Sequence, residues 1–358
     1  MSTANSNPHN LPGQPLQATI NTLTDGNAFQ QKDVQNLSGR VAIVTGGTAG
    51  TGYEVAKCLA LAGARVVVLS RKSENGENAV SQIKTLAAED TKNTVEPDVE
   101  FVECDFGNMH KVKEVADKLV KQEKRIDILI NDAGVGVNDY GLDEDGIERD
   151  FGVNVVGHFL FINRLLLLIR KTAHIPNTPA PRIISLSSNL HQLAPSDTKF
   201  ASLEEINNPN LSRNDQYYNR SKLAIILYIK ALVKNAIEPY SERIFALSVH
   251  PGAVDTEIQD QVKSAFGETF GSILLTLQTP FLRTPEEGSI GTLWAALAPE
   301  VEEKNYQGVY IPDPGKVGGE TKQAQDSTLE KNVWDLCQKL ITDKLGNDGL
   351  LAWDEVSK

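Results

Sequence analysis

The chain has 358 residues, 40% hydrophobic and 23% charged, which at about 150 residues per domain allows two domains or one large α/β unit with tails. This is the composition of a soluble globular protein, and it excludes fibrous, collagenous and channel-forming chains. Lys+Arg 35 against Asp+Glu 47 leaves a formal charge of −12, which argues against a general role on nucleic-acid phosphates or anionic lipid, since both need a basic surface.

Residues 1–38 are rich in Asn, Thr, Gln and Pro and read as a flexible polar leader. They lack the basic and apolar regions of a signal peptide. From Gly39 onward, short β-branched runs alternate with longer amphipathic segments, the pattern of parallel strands joined by crossover helices. Strands are predicted at Val41–Thr45, Arg65–Ser70, Val99–Cys104, Ile126–Ile130, Arg182–Ser187, Ile244–Val249 and Val309–Ile311. Helices are predicted at Tyr53–Leu61, Glu77–Ala87, Met109–Gln122 and Asn154–Ile169, with loops at Ala88–Asp98 and Gln192–Asp215. The fold class is therefore α/β: one doubly wound Rossmann domain over residues 39–314, with a mainly parallel seven-stranded sheet flanked by helices. Residues 315–358 form a C-terminal extension with one helix, Leu329–Lys344.

The apolar stretch Phe270–Leu282 is shorter than the ~20 residues of a membrane span, and Phe159–Ile169 is interrupted by Arg164. No transmembrane segment is expected; peripheral membrane contact through 270–282 stays open. Cys58, Cys104 and Cys337 are odd in number and far apart, and the histidines show no metal spacing. Neither a disulfide framework nor a metal site is expected, and a reduced, cytoplasmic location follows.

Directly after the first strand stands Thr45-Gly46-Gly47-Thr48-Ala49-Gly50-Thr51-Gly52, opening a helix. Glycine allows a tight turn and close approach of a pyrophosphate, and the helix N-terminus offers free N–H groups to it. Gly46, Thr48, Gly50, Thr51 and Gly52 are therefore candidate cofactor contacts. At the end of the second strand an Asp or Glu would accept from the ribose 2′-OH of NAD. The residue there is Ser70, followed by Arg71 and Lys72, and a hydroxyl beside two cations suits the 2′-phosphate of NADP. A solvated basic turn is the plainer alternative. Asp105, past the third strand, is placed for the adenine edge or as a cap before Asn108–Met109.

Downstream lie Asn154, Ser187-Ser188 at the end of a strand, and Tyr218-Asn219-Arg220-Ser221-Lys222. Tyr and Lys four apart share one helix face. A nearby ammonium and a positive nicotinamide ring would favour the phenolate of a tyrosine whose ordinary pKa is ~10. Tyr218 is thus the candidate general acid/base, and Tyr217 is excluded because the residue four later is Ser221.

These residues carry a family likeness. From about Leu37 to Pro314 the chain resembles the short-chain dehydrogenase/reductases, through Thr45-Gly46-x-x-x-Gly50-x-Gly52, Asp105, Asn131-Asp132-Ala133-Gly134, Asn154, Ser188, Tyr218-x-x-x-Lys222 and Pro251-Gly252-x-Val254-x-Thr256. Asn154-x-x-Gly157-His158-Phe159 and Thr284-Pro285-Glu286-Glu287-Gly288 are similar to the retinol-dehydrogenase-like branch, which includes fungal secondary-metabolism reductases. The resemblance implies that Ser188 polarises the substrate oxygen, that Tyr218 exchanges the proton and that Lys222 lowers the tyrosine's pKa and holds the nicotinamide ribose. It implies a water anchored by Asn154, an adenosine side bordered by Asn131, Ala133 and Gly134, and a nicotinamide carboxamide gripped by Val254 and Thr256. Two positions depart from the family: Asp132 stands where Asn is usual, and Thr51 where an aliphatic residue is usual.

The segment 257–283 is expected to form a substrate lid. Its Val262, Phe266, Phe270, Ile273, Leu274 and Phe281 favour an apolar terpenoid, polyketide or retinoid-like alcohol or carbonyl, although the same residues could pack a lid helix onto the core. The expected function is an NADP(H)-dependent alcohol/carbonyl oxidoreductase, with a monomer or homodimer both allowed. The alternatives are a catalytically idle nucleotide-sensing or scaffolding protein, and epimerase or dehydratase chemistry on nucleotide sugars. The latter normally needs a larger C-terminal domain than the residues after Gly315 provide.

Overall fold

In the computed structural model, the described residues are 29–89, 96–252 and 283–354. Seven strands, β1 (Val41–Thr45), β2 (Arg65–Ser70), β3 (Val99–Glu103), β4 (Ile128–Asn131), β5 (Arg182–Leu186), β6 (Phe245–Val249) and β7 (Tyr310–Ile311), form one sheet in the order β3-β2-β1-β4-β5-β6-β7. Every pairing is parallel. A parallel sheet must be covered on both faces, and that is why its central strands read as continuous apolar runs: all five residues of β1 are buried.

Successive side chains point to opposite faces. Ala42 and Val44 of β1 face helices α1 (Gly50–Leu61), α2 (Ser73–Glu89) and, further along the chain, α6 (Pro285–Leu297). Ile43 faces α3 (Met109–Gln122), α4 (His158–Ala173), α5 (Asp215–Leu232) and α7 (Ser327–Leu345). The chain reverses its direction of winding between β1 and β4, which are neighbours. In such a sheet the carboxyl ends of these two strands bound the ligand crevice.

Two features differ from the sequence expectation, one at the helix over Asn154–Ile169 and one in the leader. The predicted helix over Asn154–Ile169 is preceded by a turn at Arg149–Phe151 and a π-helical segment at Gly152–Gly157. The apolar spacing continues through both, so periodicity does not reveal the extra residue. Arg149–Ala173 is long and apolar enough to cross a membrane, but 89% of its most apolar window is buried inside the protein; its apolarity is that of a core helix. The described part of the leader, Phe29–Ser38, lies against the domain rather than standing free. Leu37 is buried, Phe29 packs on the α1/α6 side, and Gln31 donates to Glu54 (3.1 Å) and Ser289 (2.9 Å). The three cysteines are free and buried.

Candidate active site

The glycine turn follows β1 directly. Gly46 has φ +69°, a left-handed conformation open to glycine, and a Cβ there would lie 2.7 Å from the backbone nitrogen of Ala133. The turn after β1 and the turn after β4 are therefore in backbone contact. Thr45 fastens them: its hydroxyl oxygen accepts from the N–H groups of Asp132 (3.0 Å) and Ala133 (2.9 Å). With both those bonds accepted, the Thr45 hydroxyl proton points to Nε2 of His158, 3.0 Å away. Nδ1 of that ring then donates to the Val153 carbonyl at 3.0 Å. Burial pushes His158 down to about 3, so the ring stays neutral in this bridge. The sequence offers a histidine after Asn154-x-x-Gly157, yet nothing in the pattern names Thr45 as its partner.

The N-terminus of α1 has Ala49 as its cap residue, no side-chain cap and no acid in its first turn. A helix start left without a cap suits an external anion, so the glycine turn fits a dinucleotide pyrophosphate. Gly46, Thr48, Gly50, Thr51 and Gly52 lie along this turn. Gly52 touches Asp132, whose carboxylate accepts its N–H.

At the end of β2, Ser70 is half-buried and Arg71 and Lys72 are exposed. Asp105 Oδ1 accepts from Gly107 N at 2.9 Å, so it ties its own turn, while the cap of α3 is Asn108. Asn131 is buried between β4 and β5, opposite Ser185; its Nδ2 donates to Ser185 Oγ at 3.1 Å, and its Oδ1 has no hydrogen-bond partner. Ala133 and Gly134 continue the turn, with Gly134 exposed. Val254, Thr256 and the lid residues up to 282 lie outside the described residues.

Across the crevice, β5 leads directly into Ser187 and Ser188, which do different things. Ser187 Oγ donates to the backbone carbonyl of Lys222 at 2.8 Å. Ser188 Oγ accepts from Leu190 N at 3.1 Å and hydrogen-bonds the Tyr218 phenol. The Lys222 ammonium donates to the Leu186 carbonyl at 2.8 Å and lies 5.3 Å from the centre of the Tyr218 ring. Ser188, Tyr218 and Lys222 thus come together.

Asn154 stands nearby on the π segment with its side chain fully engaged. Oδ1 accepts from Val135 N (2.9 Å), and Nδ2 donates to Val135 O (3.1 Å) and Ser221 Oγ (3.0 Å). It clamps the turn after β4 to α5.

Burial dominates the electrostatics that the protein's own groups impose on Tyr218. Burial raises the phenol's pKa, the charge of Asp150 adds to the rise, the Ser188 hydrogen bond opposes it, and Asp132 adds again. The Lys222 ammonium lies 5.3 Å from the centre of that ring, and burial lowers its own pKa to about 8 against the pull of Asp132 and Asp150. The protein's own groups therefore leave Tyr218 a phenol.

Sequence reading missed three groups here. Asp150 is buried, and burial and Glu148 raise its carboxyl well above the carboxylate range. Glu148 and Arg220, both buried, form a 3.6 Å ion pair. Arg220 also donates to the carbonyls of Glu205 (3.0 Å) and Ile206 (2.7 Å), which anchors the turn of α5 that carries Tyr218.

Comparison with known proteins agrees with this geometry. A family model described as short chain dehydrogenase matches residues 40–194. A Neurospora crassa protein named as a mitochondrial oxidoreductase is 34% identical over 88% of this chain and 75% of its own length. Retinol dehydrogenase 12 of Bos taurus is 32% identical over 86% of this chain and 88% of its own. Among solved structures, the RhlG/NADP active-site complex of Pseudomonas aeruginosa is similar with a TM-score of 0.56 at 25% identity, covering 78% of this chain and 97% of that one. The chain belongs to the short-chain dehydrogenase/reductase family, whose members are nicotinamide-dependent oxidoreductases.

Proposed function

We propose that this chain is an NADP(H)-dependent oxidoreductase that interconverts an alcohol with a ketone or aldehyde on an apolar small molecule. The observation that carries this reading is the meeting of Ser188, Tyr218 and Lys222 at the crevice bounded by the glycine turn. A hydroxyl, a phenol and an ammonium converge where an alkoxide develops, which is general acid/base catalysis with electrostatic support. The nicotinamide ring, when bound, supplies or takes up the hydride. Ser188 fixes the substrate oxygen, and Tyr218 delivers its proton to that oxygen as the carbonyl becomes an alcohol. Starting as a phenol, Tyr218 is ready for reduction; oxidation needs the phenolate, which higher pH and the positive charge of an oxidised cofactor favour.

The choice of NADP over NAD rests on Ser70, Arg71 and Lys72. No acid occupies the end of β2, and neither cation forms an ion pair among the described residues. An apolar alcohol or carbonyl of terpenoid, polyketide or retinoid type is supported by the apolar residues of 257–282 and by a relative named for retinol. A place in secondary-metabolite biosynthesis fits that substrate class, and a reduced compartment such as the cytoplasm fits three unpaired cysteines.

Replacing Tyr218 with Phe separates this enzyme from an idle nucleotide sensor. NADPH consumption with a panel of apolar ketones and aldehydes is expected to fall at least about 100-fold, as for loss of a general acid, while NADPH affinity measured by fluorescence stays within about twofold. Substantial residual turnover in Tyr218→Phe, or no turnover by the unaltered protein across the panel, would contradict the reading.

A further inference from the structure

We propose that His191 is a positioning residue for the reaction: its ring holds Ser188 by the peptide oxygen, and the C-terminal extension, through the Thr321 N–H, fixes that ring in the one tautomer able to do so. The inference rests on reading Ser188 as the group that fixes the substrate oxygen, and it deepens that reading by naming what aims the hydroxyl.

Ser188 stands at the start of a 3-10 turn, Asn189–Leu193, and caps it: its Oγ accepts from Leu190 N at 3.1 Å. A turn of this kind is short and its own hydrogen bonds are poorly aligned, so the aim of Oγ depends on what grips the turn from outside. At Asn189, the backbone N donates to Nδ1 of His250, just past β6, at 3.3 Å, and the side-chain Oδ1 accepts from the Tyr310 hydroxyl of β7 at 2.7 Å. At Ser188 itself, the carbonyl oxygen accepts twice, from His191 N at 3.1 Å and from Nδ1 of the His191 ring at 2.7 Å.

The partners of the ring place its proton. A backbone N–H can only donate, and Thr321 N lies 3.3 Å from Nε2 of His191, so Nε2 is the acceptor. A carbonyl oxygen can only accept, so Nδ1 carries the proton that binds Ser188. Both partners demand the same neutral tautomer. The other tautomer would satisfy neither, and an imidazolium would set two N–H groups against each other at Thr321. The ring is fully buried and meets the Tyr310 ring edge-on, with centroids 5.0 Å apart. Burial lowers its pKa against the Ser188 carbonyl and Glu320, and Lys230 adds to the lowering.

The same stretch of the extension grips the helix that carries Tyr218. Lys230 of α5 pairs with Glu320 at 2.7 Å and donates to the Ala324 carbonyl at 2.9 Å, while Gln323 Nε2 donates to the Pro195 carbonyl at 2.9 Å. Residues 320–324 are therefore fastened both to α5 and to the chain that follows Ser188. Ser188 and Tyr218 are set against one frame, and His191 is the link from that frame to Ser188. A misplacement of about 1 Å costs on the order of 100-fold in rate, so loss of this link is read in kcat.

The test uses three substitutions in the full chain. In His191→Asn the side-chain amide can present an N–H where Nδ1 stands; His191→Gln reaches towards the Nε2 position instead; His191→Leu keeps bulk and makes neither bond. With NADPH and the apolar ketone or aldehyde that the parent reduces fastest, kcat is expected to fall at least about tenfold in the Leu and Gln variants and to recover to within about threefold of the parent in the Asn variant. KM and NADPH affinity are expected to stay within about twofold throughout. Should the Leu variant fail to fold, the ratio of Asn to Gln carries the comparison. Equal kcat in the Asn and Gln variants, or parental kcat in a folded Leu variant, would overturn the role through Ser188. Nitrogen-15 spectra of protein labelled at histidine, with the His191 signals identified by their loss in the Asn variant, are expected to show the Nδ1–H tautomer at neutral pH. An Nε2–H tautomer would overturn the proposal whatever the activity. If the unaltered protein reduces nothing, or Ser188→Ala loses no activity, the functional reading fails and the positioning role with it, while the tautomer still reports the tie to Ser188.

Discussion

Ser187 and Ser188 are chemically identical neighbours, and their partners alone assign their work. The first is spent on the Lys222 carbonyl, where it pins β5 to α5; the second bonds the phenol that moves the proton. Arg71 poses the opposite case, an exposed cation with no protein partner among the described residues to fix it. If it grips a 2′-phosphate, Arg71→Ala removes a charge-assisted contact of about 1.5–3 kcal/mol, and NADPH affinity is expected to fall at least tenfold while NADH affinity is unchanged. An equal loss for both cofactors in a binding titration would refute that role. At this scale the sequence made the chemistry legible where residue type is the chemistry, as at Tyr218, Lys222 and Ser188. It could not give the direction of the Tyr218 shift, since that depends on burial and on Asp150, 68 positions away along the chain and adjacent only after folding.

Among the elements, α6 carries its own start signal. Thr284 Oγ1 accepts from Glu287 N at 3.2 Å, the Glu287 carboxylate accepts from Thr284 N at 2.8 Å, and Pro285 takes the first helical position. This reciprocal cap satisfies two N–H groups that a helix end otherwise leaves open. Thr284→Ala is expected to cost about 1 kcal/mol in denaturant unfolding with NADPH affinity unchanged, because the bonds it removes lie within the first turn of α6 itself. A loss of affinity in that variant would show that α6 and the crevice are coupled. The strands were legible because a parallel sheet buried on both sides demands unbroken β-branched runs. The π segment at Gly152–Gly157 was not, because one extra residue in a turn leaves an apolar stripe intact. What that residue does is physical: it lets the Asn154 side chain reach Val135 and Ser221 at once.

For the whole molecule, the C-terminal extension completes the core. α7 buries Leu329, Val333, Trp334, Leu336, Cys337, Leu340 and Ile341, and the Trp334 ring lies 4.9 Å from Phe159 of α4 and 4.7 Å from Trp353. Leu351 and Asn163 exchange two hydrogen bonds, of 2.8 and 3.0 Å, and Lys230 on α5 pairs with Glu320 at 2.7 Å. Length arithmetic made these residues a tail because they follow the last strand; the apolar faces of α4 and α5 that need covering are visible only once both helices stand on the sheet. Each fully buried large side chain contributes about 1.5–3 kcal/mol. Removing residues 326–358 is therefore expected to destabilise the domain by more than its whole margin of about 5–15 kcal/mol. The readout is aggregation or loss of the cooperative melt; a truncated chain that melts with the parent would contradict this account.

Arg283 lies across Gly252, whose φ is +92°, and donates to the Pro251 carbonyl at 3.2 Å while Asp313 holds its guanidinium at 2.6 Å. The Arg283 guanidinium therefore ties the chain just past β6 to the chain just before α6. For a segment whose ends are already fastened together, added length costs little, about 0.6 kcal/mol of closure entropy per doubling. Insertions between these two fixed points are therefore expected to leave the strands, the glycine turn and Tyr218 in register.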